Sequence, residues 1–304
     1  MLFEKKSNKN TRCAFGFHDD GISFVRLSFG KKAIPNIDSI EFFPGEPNLH
    51  AVLLKKIIRS HNLKKSICST YIENSSYQLL VTDAPDVPKD EIISALQWEL
   101  KDLLTLPLEQ STLTMFDIPE QTATKKIINV VSASKEKIAD IAQIFEEAKL
   151  TLGIIDIEEF ALRNLAILDS NEKNGIVTLW LSGDYGKILF IHNSNIHLSR
   201  NIEFGYKSIS HSLNGMENIA LEVQRSIDYF ERHYNKISIQ SLLLMPFELE
   251  SSGFNDFLEN NLTLPCNEFK LKENSAGLET VSSAIISKSL LAIGTGLRQR
   301  SKDY

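Results

Sequence analysis

The feature that limits this chain most is a hairpin pattern that occurs twice, about half a chain apart. Residues Gly175 to Gly205 read GIVTLWLSGDYGKILFIHNSNIHLSRNIEFG. Apolar runs Ile176–Leu181 and Ile188–Ile191 flank Gly183-Asp184-Tyr185-Gly186, and Asn193-Ser194-Asn195 leads into Ile196–Phe204. Glycine and asparagine supply the positive backbone angles of tight turns, so the stretch predicts a three-strand meander. Near the start, Ala14–Phe17, Asp19-Asp20-Gly21 and Ile22–Phe29 repeat the pattern. An Asp-x-Gly turn between apolar strands in both places predicts two similar α/β lobes facing each other.

The 304 residues suffice for two domains, each with its own core. A net charge of −6 argues against nucleic acid as the main partner, because phosphate binding needs a basic surface. Cys13, Cys68 and Cys266 are odd in number, far apart and without metal-ligand spacing, which predicts a reduced, cytoplasmic setting. The opening MLFEKKSNKN lacks the apolar core of a signal peptide. No run approaches the roughly 20 apolar residues that span a bilayer, so any membrane association is expected to run through a partner. Lys5, Lys6 and Lys9 read as a solvated tail rather than a lipid contact.

Along the chain, Cys13–Phe17, Ile22–Phe29 and Asp38–Phe43 predict three strands, stopped by Pro44, Gly45 and Pro47. Asn48 is placed to cap a helix Leu49–His61, and Ile67–Ile72 and Tyr77–Asp83 are strand candidates around Asn74-Ser75-Ser76. Pro88 suits a first helical position, with Asp90 and Glu91 complementing the positive helix start. Ile92, Ile93, Leu96, Leu100, Leu103 and Leu104 then form one apolar stripe, which Pro107 ends. Strands Thr112–Ile118 and Lys126–Val131 follow, and Ser134 caps a helix carrying Ile138, Ile141, Ala142 and Phe145. Strand Leu152–Ile157 and helix Glu158–Leu168 complete a first lobe, residues 1–168. The polar run Asp169–Asn174 is the linker into a second lobe, residues 169–304. There Met216–Tyr234 predicts a long helix, Leu242–Met245 a buried strand and Phe254–Asn260 a helix. Asn267–Ala276 reads as irregular, and Val281–Ile293 as a closing helix ended by Gly294.

Residues able to do chemistry are scattered. Of the seven histidines, His192 and His197 flank a turn with no third ligand nearby and read as surface residues. Ser182 beside Gly183 lacks the Gly-x-Ser-x-Gly setting of a nucleophile. Glu91 and Glu99 lie two turns apart on a solvated helix face. Trp98 falls off the apolar stripe, so Trp98 and Glu99 are the candidate contacts for a partner peptide. Arg200 and Arg225 read as formers of structural salt bridges.

Several spaced pieces carry a resemblance. They are Pro88-x-x-Glu91 with Ala95, Trp98-Glu99 and Pro107, then Val131-Ser132-Ala133-Ser134-Lys135-Glu136 and Asp156-Ile157-Glu158-Glu159-Phe160-Ala161-Leu162. Arg200-Asn201-Ile202-Glu203-Phe204-Gly205, Glu222–Phe230 and Gly294-x-Gly-Leu-Arg298 complete the set. In this order they resemble the PilM-type type IV pilus assembly proteins over about residues 12–300. The nearer likeness is to the MshI branch of the mannose-sensitive haemagglutinin (MSHA) pilus system. The resemblance implies an actin-like (ribonuclease H-like) α/β fold of two lobes and a cleft, with a small inserted α/β subdomain at about residues 85–155. It implies a non-enzymatic cytoplasmic scaffold, peripheral at the inner membrane, that binds the N-terminal tail of a bitopic PilN-like or MshJ-like protein. Other pilus inner-membrane components are further expected partners. The groove for the tail is expected in the first lobe, between its first sheet and the inserted subdomain, and a homodimer is compatible with this arrangement.

In actin-like nucleotide binders, hairpin turns from opposite lobes approach the phosphates. Here the family's serine run after the first turn has become Ile22-Ser23-Phe24, and Arg26 replaces its lysine. After the second turn stand Lys187-Ile188-Leu189, and the glycine turn that would accept adenosine is Met245-Pro246-Phe247. Asp19, Gly21, Ser23, Arg26, Asp184 and Gly186 are what remains of an ATP and magnesium site, a degenerate one. The expectation is therefore no cofactor and no hydrolysis, against the alternative of an actin-like ATPase whose lobe closure drives assembly.

Overall fold

Segments rich in β-branched and aromatic residues open the chain as β1 (Thr11–His18), β2 (Gly21–Ser28) and β3 (Asn36–Pro44), an antiparallel meander. The computed structural model describes residues 11–30, 35–63, 66–118, 126–169, 175–211, 213–234, 237–248, 253–271 and 281–298. Asp19 and Asp20 turn the chain between the paired His18 and Gly21, and a Cβ on Gly21 would lie 2.4 Å from the Phe43 carbonyl oxygen. α1 (His50–His61) ends at Asn62, which is left-handed at φ 52°, and β4 (Ile67–Ile72) joins β1 in parallel.

An insertion follows: β5 (Tyr77–Asp83), α2 (Ile92–Leu100), β6 (Ser111–Asp117) and β7 (Ile127–Ser134), with its own sheet in the order β5-β7-β6. α3 (Lys135–Glu147) starts where Ser134 Oγ accepts the Lys137 N–H at 3.3 Å, the predicted cap. β8 (Thr151–Ile157) returns beside β4, so the first sheet runs β3-β2-β1-β4-β8.

α4 (Glu158–Asp169) leads to the second half, where β9 (Gly175–Leu181), β10 (Gly186–His192) and β11 (Asn195–Ile202) repeat the meander. Asn193 and Ser194 both hold positive φ, 48° and 62°, as a two-residue hairpin turn requires. α5 (Tyr206–His211) and α6 (Leu213–His233) precede β12 (Ile239–Leu244), and α7 (Phe254–Asn261) precedes β13 (Cys266–Glu268). The order β11-β10-β9-β12-β13 matches the first sheet strand for strand. The repeat read from the two Asp-x-Gly turns is thus a duplicated sheet.

α8 (Ser283–Leu297) closes the chain and, with α4, fills the space between the two sheets. Ala14, Val25 and Leu27 of the first sheet, Trp180, Leu189 and Ile191 of the second, and Leu165 and Leu290 from the helices share one core. The outer face of the first sheet buries Phe15 and Phe24 against α1 and Phe145, while the second stacks Phe190 on Phe230 of α6.

Several readings need correction, among them Asn48, which lies in a 3-10 turn and does not cap α1, and His197, which is buried rather than on the surface. α8 does not stop at Ile293 but runs through Gly294 and Gly296 to Leu297. A Cβ on Gly294 would sit 2.1 Å from the Ala161 carbonyl oxygen, so this glycine permits helix contact rather than ending a helix. The stripe from Ile92 breaks at Leu100, leaving Leu103 62% exposed while Leu104 still packs on the insertion core. Part of the stretch read as irregular, Cys266–Glu268, is the edge strand β13. The insertion sheet takes in β5, upstream of residue 85, whereas β8 belongs to the five-stranded sheet, and α8 packs on the first sheet although it follows residue 169. Most of the linker 169–174 and the basic tails lie outside the described residues.

Candidate functional site

The second position of β10 is a lysine in an otherwise apolar strand, and it is fully buried. Lys187 donates its three ammonium protons to Glu159 Oε1 at 2.7 Å, Asn74 Oδ1 at 2.8 Å and Asn201 Oδ1 at 2.9 Å. Tyr77 of β5 lays its ring 5.4 Å from this ammonium and donates its hydroxyl to Glu159 Oε2 at 2.5 Å. Glu158 and Glu159 open α4, where the positive helix start favours carboxylates. Glu158 Oε1 accepts from the Tyr185 hydroxyl at 2.7 Å and the Asn74 N–H at 3.1 Å. Its Oε2 accepts no hydrogen bond from the described residues, with Lys187 Nζ 3.4 Å away. One buried network therefore ties the insertion, α4 and the second sheet together.

Burial pushes the Glu158 carboxyl up to about 7, against the pull of Lys187. An acid raised above its unfolded value binds its proton more readily in the folded chain. The stability it contributes is thus full below its unfolded pKa and lost as pH rises through about 7. Thermal melts between about pH 5 and pH 8 are expected to show a flatter decline for Glu158→Gln than for the wild type, by about 1–3 kcal/mol across the window. Asp156, raised to about 6, acts in the same direction and His18, lowered to about 4, in the opposite one, but both remain in the two proteins compared.

On the far side of Glu158 opens a cavity of about 370 Å³ between the two sheets. The β1–β2 turn reaches it through His18 and the β9–β10 loop through Gly183 and Tyr185. Phe17, Tyr71, Trp180, Tyr206 and Phe247 supply aromatic wall. Glu73, Glu158 and Glu248 line it against a single ammonium, Lys288, which is already paired with Asp20 and Glu248. His18 is neutral at pH 7 because burial lowers its pKa to about 4. Burial and then the charge of Asp19 raise the Glu73 carboxyl. Among the described lining residues no cation is without a carboxylate partner, and Phe247 stacks against Tyr206 at 6.2 Å on the wall.

None of the six residues proposed from sequence as a nucleotide site lines the cavity. Asp19 sits in the turn beside it, and Gly21 serves that turn. Ser23 is buried and bonded to His18 Nε2 at 3.0 Å. Arg26 lies on the opposite face of β2, with its guanidinium on the His61 carbonyl at the end of α1. Strand alternation alone separates it from Ser23. Asp184 is exposed and pairs with Lys207 at 2.8 Å, while Gly186 packs against Leu181 and Ile202. The residues that sequence reasoning missed are Glu73, Glu158, Trp180 and Lys187; a charged side chain inside GKILFI was the one available signal. Arg200 and Arg225 both pair with Glu222, at 3.7 and 2.7 Å, as expected.

Trp98 does not line the cavity. It is 75% exposed on α2 beside exposed Glu99, with Lys101 over its ring at 5.8 Å and exposed Leu103 a turn further. A second concavity, about 450 Å³, separates β5 and β7 from β11 and α6 and is walled by Tyr77, Leu79, Val81, Leu198, Tyr229 and Tyr234. It joins the insertion to the second sheet rather than to the first.

No protein-family model matches the chain, and neither does any curated protein. Among solved structures, the PilM-PilN type IV pilus biogenesis complex aligns over 94% of this chain and 97% of its own, with a TM-score of 0.74 and 17% identity. A Bacteroides thetaiotaomicron protein with an actin-like ATPase fold aligns over 95% of this chain and 99% of its own, with a TM-score of 0.51 and 9% identity. The fold is actin-like. The duplicated sheets are the two actin-like halves, and two of the motifs that carried the resemblance, Asp156–Leu162 and Gly294–Arg298, meet at their junction. Asp156 binds Arg298, Ala161 abuts Gly294, and Phe160 lies under the Arg298 guanidinium at 4.4 Å. Among the described residues no helix is long and apolar enough to cross a membrane.

Proposed function

We propose that this chain is a non-enzymatic scaffold of type IV pilus assembly that holds the N-terminal tail of an inner-membrane protein of the PilN type. The observation that carries the reading is the end-to-end match to the PilM-PilN complex, joined to a cleft lined by carboxylates and aromatic rings. In this reading the protein is cytoplasmic, sits at the inner membrane through its partner, and belongs to an MSHA-type system with an MshJ-like counterpart. Capture of an extended tail by a sheet edge and an apolar surface needs no catalytic group. The edge strand β5 and the exposed Trp98 support a tail-binding surface on the insertion.

Titration of a labelled PilN-like N-terminal peptide tests the reading. Saturable binding is expected, with Trp98→Ala weakening it by about 30-fold, the effect of losing an aromatic anchor. Unchanged affinity in that variant would place the tail elsewhere. The ATPase alternative draws on the actin-like fold alone, and magnesium-dependent phosphate release by the purified protein would favour it.

A further inference from the structure

The cleft is lined by a glutamate with a buried oxygen to which no described residue donates a hydrogen bond. Glu158 is 1% exposed and lines the cavity, yet its Oε2 accepts no hydrogen bond from the described residues. Lys187, the nearest cation at 3.4 Å, has already given all three protons to Glu159, Asn74 and Asn201. A buried oxygen left without a donor is costly, and a ligand that brings one recovers that cost. Across the same space stands Glu73, which lines the cavity without an ion-pair partner among the described residues. Trp180 and Tyr185, edge to face at 5.8 Å, offer ring surface between strand and loop, and Tyr71 adds a third ring. Rings and carboxylates together form the environment that attracts organic cations.

We propose that this cleft binds an organic cation, a guanidinium or primary ammonium head that donates to Glu158 Oε2 and Glu73 and lies against Trp180, Tyr185 and Tyr71. The cavity volume of about 370 Å³ accommodates a head group with a short aliphatic stem. The head can arrive on a free diamine or as an arginine side chain on a peptide; the recognition chemistry is the same. The site is separate from the Trp98 surface, so it stands or falls independently of the tail-binding reading.

Isothermal titration of the full-length protein with agmatine, with the blocked tripeptide acetyl-Gly-Arg-Gly-amide and with tripolyphosphate tests the assignment. Saturable heat is expected from at least one of the two cations and none from tripolyphosphate. Whether agmatine or the tripeptide binds more tightly tells a free cation from one carried on a chain. Loss of a charge-assisted hydrogen bond predicts about 10-fold or weaker binding in Glu158→Gln. Glu73→Gln, at an accessible position whose change leaves the core intact, is expected to weaken binding about 5-fold or more. Saturable binding of tripolyphosphate in place of the cations overturns the proposal. So does the absence of cation binding, or affinity unchanged in Glu73→Gln.

Discussion

Lys187→Met is expected to destabilise the fold by about 3–5 kcal/mol, the cost of removing one partner from a buried ion pair. Methionine matches the length of the lysine stem but leaves Glu158 and Glu159 facing each other without a cation. Asn74 and Asn201 would lose a donor at the same time. Chemical denaturation should show the loss as a lower midpoint. Adding Glu159→Gln to the variant should recover part of it, because the repulsion between the two carboxylates is then relieved. A Lys187→Met protein as stable as the wild type would mean that the network holds nothing together. The network joins the insertion to both halves of the actin-like body, so its loss should also raise amide exchange in β5 and in the first turn of α4.

Gly294→Ala is expected to destabilise the protein by about 3 kcal/mol, although alanine is the better helix former by about 1 kcal/mol. The new methyl group would fall 2.1 Å from the Ala161 carbonyl oxygen, a backbone atom that cannot turn aside, so α4 and α8 must separate. Gly296→Ala offers an internal comparison. Its Cβ would meet the Leu27 Cδ1 at 2.5 Å, the far end of a side chain that can change rotamer. The second variant should therefore melt well above the first. Equal melting temperatures would show that the helix contact is looser than its geometry.

Much of this fold is written locally. Strands such as Ile67–Ile72 and Tyr77–Asp83 match their predicted limits because apolar runs end at turn residues. The Ser134 cap is likewise visible in a few residues. Gly294 was misread because a glycine near a helix end looks the same whether it stops the helix or lets another one touch it. Only the position of Ala161 distinguishes the two. The site was less legible for a related reason. Lys187 reads in sequence as one charge in an apolar run, since the residues that make it meaningful lie 28 positions away at Glu159 and 113 away at Asn74. Arg26, by contrast, could have been set aside from sequence, because strand alternation puts it on the face opposite Ser23.

The most direct measurement for the account as a whole is the affinity of a PilN-like N-terminal peptide with and without saturating magnesium ATP, with phosphate release followed in the same samples. The account predicts saturable peptide binding that ATP leaves unchanged, and no phosphate released above the blank. Peptide binding that requires ATP, or steady release of phosphate, would contradict it.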